Sequence, residues 1–322
     1  MKAIRVHENG GPEVLTLEEI PLPEPKEGEA LVRVEAVGVN FIEIYFRLGW
    51  YKAALPLTPG GECAGTVTAV GRGVTEVKPG DRVATINAAG AYAGFAIVPA
   101  ARLVRLPEGV TAKQAAAAIL QGMTAHYLTA STYPLKPDDV CIVHAAAGGV
   151  GLLLCQMAKR RGARVIGTVS TPEKALLAKE AGADRTVLYT SEDFVAAARD
   201  FTNGRGVNVI YDSVGKTTFE KGFDALAPCG MMALYGQASG PVSSFDPQVL
   251  NQKGSVFLTR PSLFHYVATR EELLERADAV FGWVRDGSLR LRMEHEFPLA
   301  SAADAHRALE GRKTTGKVLL IP

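Results

Sequence analysis

The segment that most restricts how this chain can fold is VCIVHAAAGGVG, residues 140–151. Its apolar start predicts a short buried strand, and the apolar residues after the glycines predict a helix. Gly148 and Gly149 allow the backbone to pass close to a pyrophosphate, and Gly151 allows the helix to pack closely on the strand. The N-terminus of such a helix attracts phosphate through its free N–H groups and its dipole. The residues predicted to bind a dinucleotide here are Ala147, Gly148, Gly149 and Val150.

This turn departs from the G-x-G-x-x-G pattern, because Ala146 occupies the position of the first glycine. An isolated match of this kind is weak, and a structural tight turn is the alternative interpretation. The context favours the dinucleotide site, since six short strands alternate with helices and predict a doubly wound parallel sheet. After the strand at Val140–His144, the predicted strands are Arg164–Val169, Thr186–Tyr189, Val207–Asp212, Met231–Tyr235 and Val256–Thr259.

The first third of the chain has a different pattern, with short alternating segments between Gly and Pro turns. Segments such as Ala30–Val39 and Cys63–Val70 predict strands of a small barrel-like β domain. The last predicted strand, Lys317–Ile321, has no room in a completed six-strand sheet, so we expect it to return to the first domain. The predicted fold class is therefore α/β, with a discontinuous domain of residues 1–123 and 264–322 and a dinucleotide-binding domain of residues 124–263.

The second strand of the predicted parallel sheet suggests which dinucleotide binds. Folds specific for NAD place an acidic residue at the tip of this strand to bind the ribose hydroxyls. Here the tip reads GTVST, residues 167–171, without an acid. Ser170 and Lys174 could instead hold a 2′-phosphate, with Tyr189 nearby. We therefore predict NADPH as the cofactor, while a solvated Lys174 is the alternative for that side chain.

Composition narrows the class of protein further. The chain has 322 residues, is 47% hydrophobic and carries a formal net charge of +1, so nothing in the total indicates a nucleic-acid partner. The four cysteines are scattered without a CxxC pair, which is typical of reduced, mostly buried thiols in a cytosolic protein. The N-terminus has no apolar core of secretory length, so the cytoplasm is the expected location, without a membrane partner. The cysteines are Cys63, Cys141, Cys155 and Cys229.

Several motifs together resemble the medium-chain dehydrogenase/reductases, and within them the zinc-free NADPH:quinone oxidoreductases that include zeta-crystallin. The resemblance covers the whole chain and implies a GroES-like β-rich catalytic domain beside a Rossmann NADPH-binding domain. The motifs are GVNFIEIYFRLG (38–49), PGGECAGTVTAVG (59–71), GDRV (80–83), HAAAGGVG (144–151), YDSVG (211–215), NQKGS (251–255) and TRPSL (259–263).

The positions that hold catalytic zinc in the alcohol dehydrogenases of this superfamily differ in this chain. The first cysteine is replaced by Asn40, the histidine of the GHE motif by Gly61, and the third ligand falls near Gln121. Catalytic zinc needs about three protein ligands, so we expect no metal here. We expect Glu62, which remains from that motif, to be a structural remnant.

For the reaction, the resemblance implies reduction of a quinone by transfer of electrons or hydride from the nicotinamide. Asn40 and Tyr45 lie in the family's active-site segment, facing the nicotinamide: Asn40 can donate to a carbonyl oxygen, and Tyr45 can stack on the acceptor or cofactor. A turn asparagine and a core tyrosine are the structural alternatives. The other cofactor contacts that the resemblance implies are Thr124, Ser213, Tyr235, Gly236, Leu258, Arg260 and Lys317, with Lys317 near the pyrophosphate.

Two further functions stay open at this stage. The same cofactor site would serve an enal or enone reductase that acts on other activated double bonds. A protein of another class, an AU-rich RNA-binding or crystallin-like structural protein, is the third possibility, although the balanced charge argues against a dedicated RNA role. We also expect a homodimer, because the strand Val256–Thr259 would be an apolar sheet edge and edges invite pairing.

Overall fold

The computed structural model describes residues 1–322 and divides into two compact units. Unit 1 comprises Met1–Met123 and Val267–Pro322, and unit 2 comprises Thr124–Tyr266. The first boundary coincides with the predicted one, and the second lies three residues beyond the predicted position 264. The last part of the chain thus belongs to the same unit as the first part.

The elements of the two units follow one another along the chain in this order. The strands are β1 (Lys2–Arg5), β2 (Thr16–Glu19), β3 (Glu29–Val39), β4 (Cys63–Val70), β5 (Arg82–Thr85), β6 (Phe95–Pro99), β7 (Val104–Arg105), β8 (Val140–Val143), β9 (Arg164–Val169), β10 (Arg185–Leu188), β11 (Val207–Asp212), β12 (Leu226–Leu234), β13 (Phe257–Thr259), β14 (His295–Pro298) and β15 (Val318–Ile321). The α-helices are α1 (Phe41–Arg47), α2 (Ala112–Tyr127), α3 (Gly149–Arg160), α4 (Pro172–Glu180), α5 (Phe194–Phe201), α6 (Phe219–Gly222), α7 (Gln248–Gln252), α8 (Leu263–Tyr266), α9 (Arg270–Arg285) and α10 (Ala302–Glu310).

Unit 1 is built on a mainly antiparallel sheet whose strands follow the order β14-β15-β3-β4-β5-β7, with β6 also paired to β3. The long central strand β3 is buried along most of its length, because both β4 and β15 hydrogen-bond to it. The final strand β15 pairs antiparallel with the end of β3, with Val318 opposite Val39. The last strand of the chain thus lies in the same sheet as β3 and β4.

A buried arginine connects helix α1 to helix α10 within unit 1. The Arg47 guanidinium is fully buried and donates to Glu310, at 2.7 and 3.0 Å, and to the Gly10 carbonyl at 3.1 Å. It also lies 3.0 Å from Nδ1 of His306, whose Nε2 is 2.9 Å from the Tyr92 hydroxyl. Burial, with the nearby Arg47 charge, lowers the pKa of His306 to about 3, so the neutral ring accepts at Nδ1 and donates from Nε2. These contacts fix helix α1, which follows Asn40 directly.

Unit 2 contains a six-stranded parallel sheet in the order β10-β9-β8-β11-β12-β13. The strand order reverses between β8 and β11, which follow each other in space but not in sequence. Ligands of such sheets bind outside the carboxyl ends of the strands at this reversal. The glycine turn after β8 lies at that edge, so the predicted doubly wound fold is confirmed together with the position of the turn.

Helix α2 contains the alanine-rich segment of the chain and is followed by a π-helical turn at Leu128–Thr132. Thr124, one of the predicted cofactor contacts, lies in the last turn of α2. Helix α1 and strand β14 were not predicted. No helix has the length and apolar character needed to span a bilayer.

Candidate active site

The phosphate turn of unit 2 is shaped by backbone geometry. Ala145 adopts a left-handed φ of 53°, and the Gly148 N–H closes the turn on the Ala145 carbonyl at 2.9 Å. Gly148 is the N-cap of helix α3, and no side chain caps the N–H groups of the first turn. Helix starts of this kind can accept a phosphate, and a phosphate contact by Ala147, Gly148, Gly149 and Val150 stays a prediction.

The glycines of this turn leave room that a side chain would fill. A Cβ at Gly151 would lie 2.3 Å from the Ala145 carbonyl oxygen and 2.8 Å from the Ala146 Cα, so helix α3 could not pack against the turn. A Cβ at Gly148 would meet only the Ala145 oxygen, at 3.2 Å, and would otherwise project into open space. A cradle with a close-packed inner side and an open outer side fits a pyrophosphate.

The tip of strand β9 is free of carboxylates, as the sequence predicted. Ser170 follows the strand, and Thr171 caps helix α4 by accepting from the Lys174 N–H at 3.3 Å. Tyr189 follows the neighbouring strand β10 and donates its N–H to the Val169 carbonyl at 3.1 Å. Ser170, Lys174 and Tyr189 therefore lie around the ends of two adjacent strands, and their contact with a 2′-phosphate stays a prediction.

Four of the remaining cofactor candidates of unit 2 follow strands, at the carboxyl edge of its sheet. Ser213 follows β11, and its hydroxyl is 3.5 Å from the His144 carbonyl. Tyr235 and Gly236 follow β12, where a Cβ at Gly236 would lie 2.6 Å from the Ser213 oxygen. Arg260 follows β13 and donates to the Leu234 carbonyl at 3.0 Å. Leu258 lies within β13, opposite Met232, and Thr124 is buried near the end of α2.

His144 connects the end of strand β8 to the neighbouring strand β9, next to the phosphate turn. It follows β8 directly, and its Nδ1 lies 2.9 Å from the Thr168 hydroxyl on β9. The Ala146 N–H donates to the Thr168 carbonyl at 3.0 Å, so two contacts hold the turn to the neighbouring strand. Burial lowers the pKa of His144, which keeps the ring neutral near physiological pH. The ring is therefore a packing group with one hydrogen bond.

Unit 1 contains a buried polar network around Asn40. Lys317 and Glu62 form an ion pair at 2.5 Å, and their side chains are only 2% and 0% exposed. The Asn40 side chain lies between them and bonds to both. The second Glu62 oxygen accepts from the Leu120 N–H at 2.8 Å. Every part of this carboxylate is thus satisfied, as a buried charge requires.

The chemistry of its neighbours fixes the orientation of the Asn40 amide. Its Oδ1 accepts from Lys317 Nζ at 2.8 Å and from Gln121 Nε2 at 3.2 Å. Its Nδ2 donates to a Glu62 oxygen at 2.8 Å and to the Gly38 carbonyl at 3.3 Å. A flipped amide would place donors against the ammonium group, so only this orientation satisfies all four contacts.

These contacts change the interpretation of three predicted residues. Asn40 and Lys317 were predicted at the nicotinamide and at the pyrophosphate, and the structure brings them together at 2.8 Å. A contact between Lys317 and the pyrophosphate stays a prediction, and its ammonium is engaged inside unit 1. Glu62 was expected to be a structural remnant, and the structure adds that it carries the charge that balances Lys317.

Tyr45, the second predicted catalytic residue, belongs to an aromatic cluster. Its ring stacks on Trp50 with a centroid distance of 5.5 Å and an interplanar angle of 19°, and it meets Tyr51 edge to face at 5.5 Å. Tyr45 is 5% exposed, whereas Trp50 is 43% exposed. Tyr45 therefore lies behind Trp50 in this arrangement, and its contact with an acceptor stays a prediction.

Sequence reasoning missed the roles of Glu43 and Gln121. Glu43 completes a capping box with Asn40, because its carboxylate accepts the Asn40 backbone N–H at 2.8 Å. Gln121 is a buried polar residue in the alanine-rich helix α2, as is Thr124. A polar side chain within the mostly apolar segment 115–123 is a signal that could have indicated Gln121. Nowhere in the structure do three or more His, Cys, Asp or Glu side chains group in a way that could hold a metal ion.

Two protein-family models match this chain and together define its superfamily. The family described as "Alcohol dehydrogenase GroES-like domain" matches residues 26–108, and the family described as "Zinc-binding dehydrogenase" matches residues 149–277. A GroES-like unit joined to a Rossmann-like parallel sheet defines the medium-chain dehydrogenase/reductase superfamily, to which the chain belongs.

Relatives that match over their full length show to which family within this superfamily the chain belongs. The chain is 45% identical to a quinone oxidoreductase of Pseudomonas aeruginosa, with 100% of this chain and 99% of the relative covered. The solved structure of the Escherichia coli quinone oxidoreductase complexed with NADPH has a TM-score of 0.98 at 44% identity, and each chain is covered completely. A 2-haloacrylate reductase from a Burkholderia species is 40% identical over 98% of both chains. The chain belongs to the quinone oxidoreductase family.

The buried carboxyl of Glu43 yields a prediction about stability and pH. Burial, partly opposed by Lys317 and reinforced by Glu62, raises the pKa of Glu43 from 4.5 to about 7. Between these values the folded state keeps a proton that the unfolded chain has lost, so this group destabilises the fold as pH rises from about 4.5 to 7. Glu43→Gln should therefore stabilise the protein relative to wild type at pH 8, by about 2 to 3 kcal/mol more than at pH 5.

Urea unfolding at both pH values would measure this difference. Glu24→Gln, which removes an exposed carboxylate, is the matched control and should behave like wild type. A Glu43→Gln variant whose stability follows the wild type in parallel at pH 5 and pH 8 would show that the carboxyl does not titrate in this range.

Proposed function

We propose that this protein catalyses the NADPH-dependent reduction of quinones. The observation that carries the proposal is the dinucleotide cradle of unit 2 beside a second strand without an acid, in a chain that matches quinone oxidoreductases over its full length. The E. coli relative was solved with NADPH, and the turn and strand tip here suit the same cofactor. Asn40 and Gly61 stand where zinc dehydrogenases of the superfamily hold their metal, so protein groups orient the acceptor.

The residues of this chain have separable tasks in the reaction. The N–H groups at Gly148–Val150 bind the pyrophosphate, and Ser170 with Lys174 binds the 2′-phosphate. When bound, NADPH supplies the hydride. Asn40 donates a hydrogen bond to the acceptor oxygen, which becomes more negative as electrons arrive. The reduced quinone takes its protons from solvent, because an aromatic hydroquinone forms readily without a strong acid.

Steady-state oxidation of NADPH and NADH with 1,4-benzoquinone and 9,10-phenanthrenequinone tests the function. We expect turnover with both quinones and a clear preference for NADPH. Metal analysis of the same sample provides the control for a bound ion. Failure to oxidise NADPH with any quinone, by protein shown to be folded, would refute the proposal.

A second function is favoured by one comparison. The Burkholderia relative is named 2-haloacrylate reductase and is 40% identical over nearly the whole chain. Reduction of an activated double bond would use the same cofactor site and a different acceptor pocket. Adding 2-chloroacrylate and an alkenal to the acceptor series separates the two functions by their kcat/KM values.

Lys174→Ala tests the 2′-phosphate site. A lysine that pairs with this phosphate makes a charge-assisted hydrogen bond, so its loss should raise the Kd for NADPH by about tenfold or more. The Kd for NADH should change little, since NADH has no 2′-phosphate. Fluorescence titration with both nucleotides measures the effect, and Lys179→Ala on the exposed face of the same helix is the control. An equal loss for both nucleotides would remove Lys174 from the phosphate site.

We also propose a homodimer that forms through strand β13. This strand is the last in its sheet and pairs only with β12, so its outer backbone groups are open to a partner strand. Phe257 on this strand is 57% exposed, which is unusual for a phenylalanine. Two copies paired edge to edge would bury both phenylalanines.

Phe257→Glu should therefore convert the dimer to a monomer in sedimentation velocity experiments, because it would place two carboxylates in the interface. The control is Leu176→Glu, which changes an equally exposed residue on helix α4 and should leave the dimer intact. A monomeric wild type, or a Phe257→Glu variant that still sediments as a dimer, would contradict this interface.

The thiols support a cytoplasmic location. All four cysteines are free, and Cys63, Cys141 and Cys155 are buried. Burial raises the pKa of Cys63 and of Cys155 to about 12, so both are held as unreactive thiols. A protein with scattered, unpaired cysteines is suited to a reducing compartment.

A further inference from the structure

We propose that Lys317 is a positioning residue for the reaction: its buried ammonium group holds and polarises the Asn40 side chain, so that one Asn40 N–H is presented to the acceptor oxygen. This role rests on the proposed function, which places Asn40 at the acceptor. It differs from a contact with the pyrophosphate, which would place Lys317 at the middle of the cofactor and not beside the acceptor.

The four contacts of the Asn40 amide are unequal. The contact between Nδ2 and Glu62 is 2.8 Å long and commits one N–H. The other N–H has only the Gly38 carbonyl, at 3.3 Å, which is the longest contact of the four. An acceptor oxygen that replaces this weak contact would leave the amide in place, because Oδ1 stays bound to Lys317 at 2.8 Å. The side chain is 7% exposed, so a small part of it is open to a ligand.

The ammonium group also changes the donor strength of this N–H. A cation that bonds to an amide oxygen draws electron density from the amide and makes its N–H groups better donors. The effect is stronger away from water, and the side chain of Lys317 is only 2% exposed. Glu62 balances the charge, so the ammonium group can be buried without the cost of an unpaired ion.

The backbone leaves space for this arrangement. A Cβ at Gly38 would lie 2.0 Å from Glu62 Oε2 and 2.7 Å from Lys317 Nζ. Any side chain at this position would therefore separate the ion pair or expel the lysine. The ammonium donates to both Asn40 and Glu62, which commits two of its three N–H groups inside unit 1.

A double-mutant cycle tests whether Lys317 acts through Asn40. Lys317→Met should lower kcat for quinones by about tenfold or more, because removal of a single oxyanion donor costs about 100-fold or more in other enzymes and Lys317 acts through such a donor. The Kd for NADPH should stay within about twofold of wild type. In an Asn40→Ala background, Lys317→Met should cause no further loss, since residues that act as a unit are not additive.

A comparison of two quinones provides a second measurement. A general folding defect would lower kcat for both quinones by the same factor. The reduced oxygen of duroquinone is more basic than that of 1,4-benzoquinone and gains more from a strong donor. The loss on Lys317→Met should therefore be larger with duroquinone. Lys313→Met, at an exposed position four residues earlier, is the control and should keep wild-type kinetics with both quinones.

A second variant protects the test against misfolding, because Lys317→Met leaves Glu62 buried without its counter-ion. The double variant Glu62→Gln/Lys317→Met removes both charges and keeps an amide oxygen for the Leu120 N–H. It should show at least the same loss in kcat, because the amide nitrogen introduced by Glu62→Gln cannot accept from Asn40 Nδ2. A rise in the Kd for NADPH with unchanged kcat, or additive losses with Asn40→Ala, would overturn the positioning role. If the wild type reduces quinones, these outcomes overturn only the positioning role of Lys317. If the wild type reduces no quinone at all, both the proposed function and the positioning role are refuted.

Discussion

The buried pair of Lys317 and Glu62 is the interaction on which the organisation of unit 1 depends. An unpaired charge in this position would cost several kcal/mol, so the ammonium and the carboxylate must arrive together. Glu62 directly precedes strand β4, and Lys317 directly precedes strand β15, which are 255 residues apart in the sequence. Both strands pair with β3, with Val318 opposite Val39 and Cys63 opposite Val37. The return of the chain to its first unit therefore also completes the candidate site.

Unit 2 differs, because the backbone N–H groups at the start of helix α3 have no side chain that caps them. A helix start without a capping side chain is unfavourable in isolation, but it suits an anion that binds there. The turn after β8 creates this condition with a left-handed Ala145 and a tightly packed Gly151, and the Thr168 carbonyl anchors it through the Ala146 N–H. The site in unit 1 is built from satisfied side chains, whereas the site in unit 2 is built from open backbone groups.

This contrast explains how much of the structure could be predicted from the sequence. Strands β4, β9 and β11 have the predicted limits because short apolar runs between turns encode them locally. The phosphate turn was predictable for the same reason, since all its residues are contiguous. The Asn40 network joins residues separated by 22, 81 and 277 positions, and no local pattern indicates which distant polar residues meet. Helix α1 was missed because its β-branched and aromatic residues are also typical of strands.

The network also bears on which molecules this fold can reduce. A hydrogen bond from a polarised amide stabilises a developing oxyanion less than direct coordination to a metal cation does. An enzyme that relies on such a donor is therefore suited to acceptors that are already electron-poor, where little further activation is needed. Quinones and activated alkenes share this property, whereas unactivated carbonyl compounds do not. The names of two relatives, a quinone oxidoreductase and a 2-haloacrylate reductase, are consistent with an electron-poor acceptor of this kind.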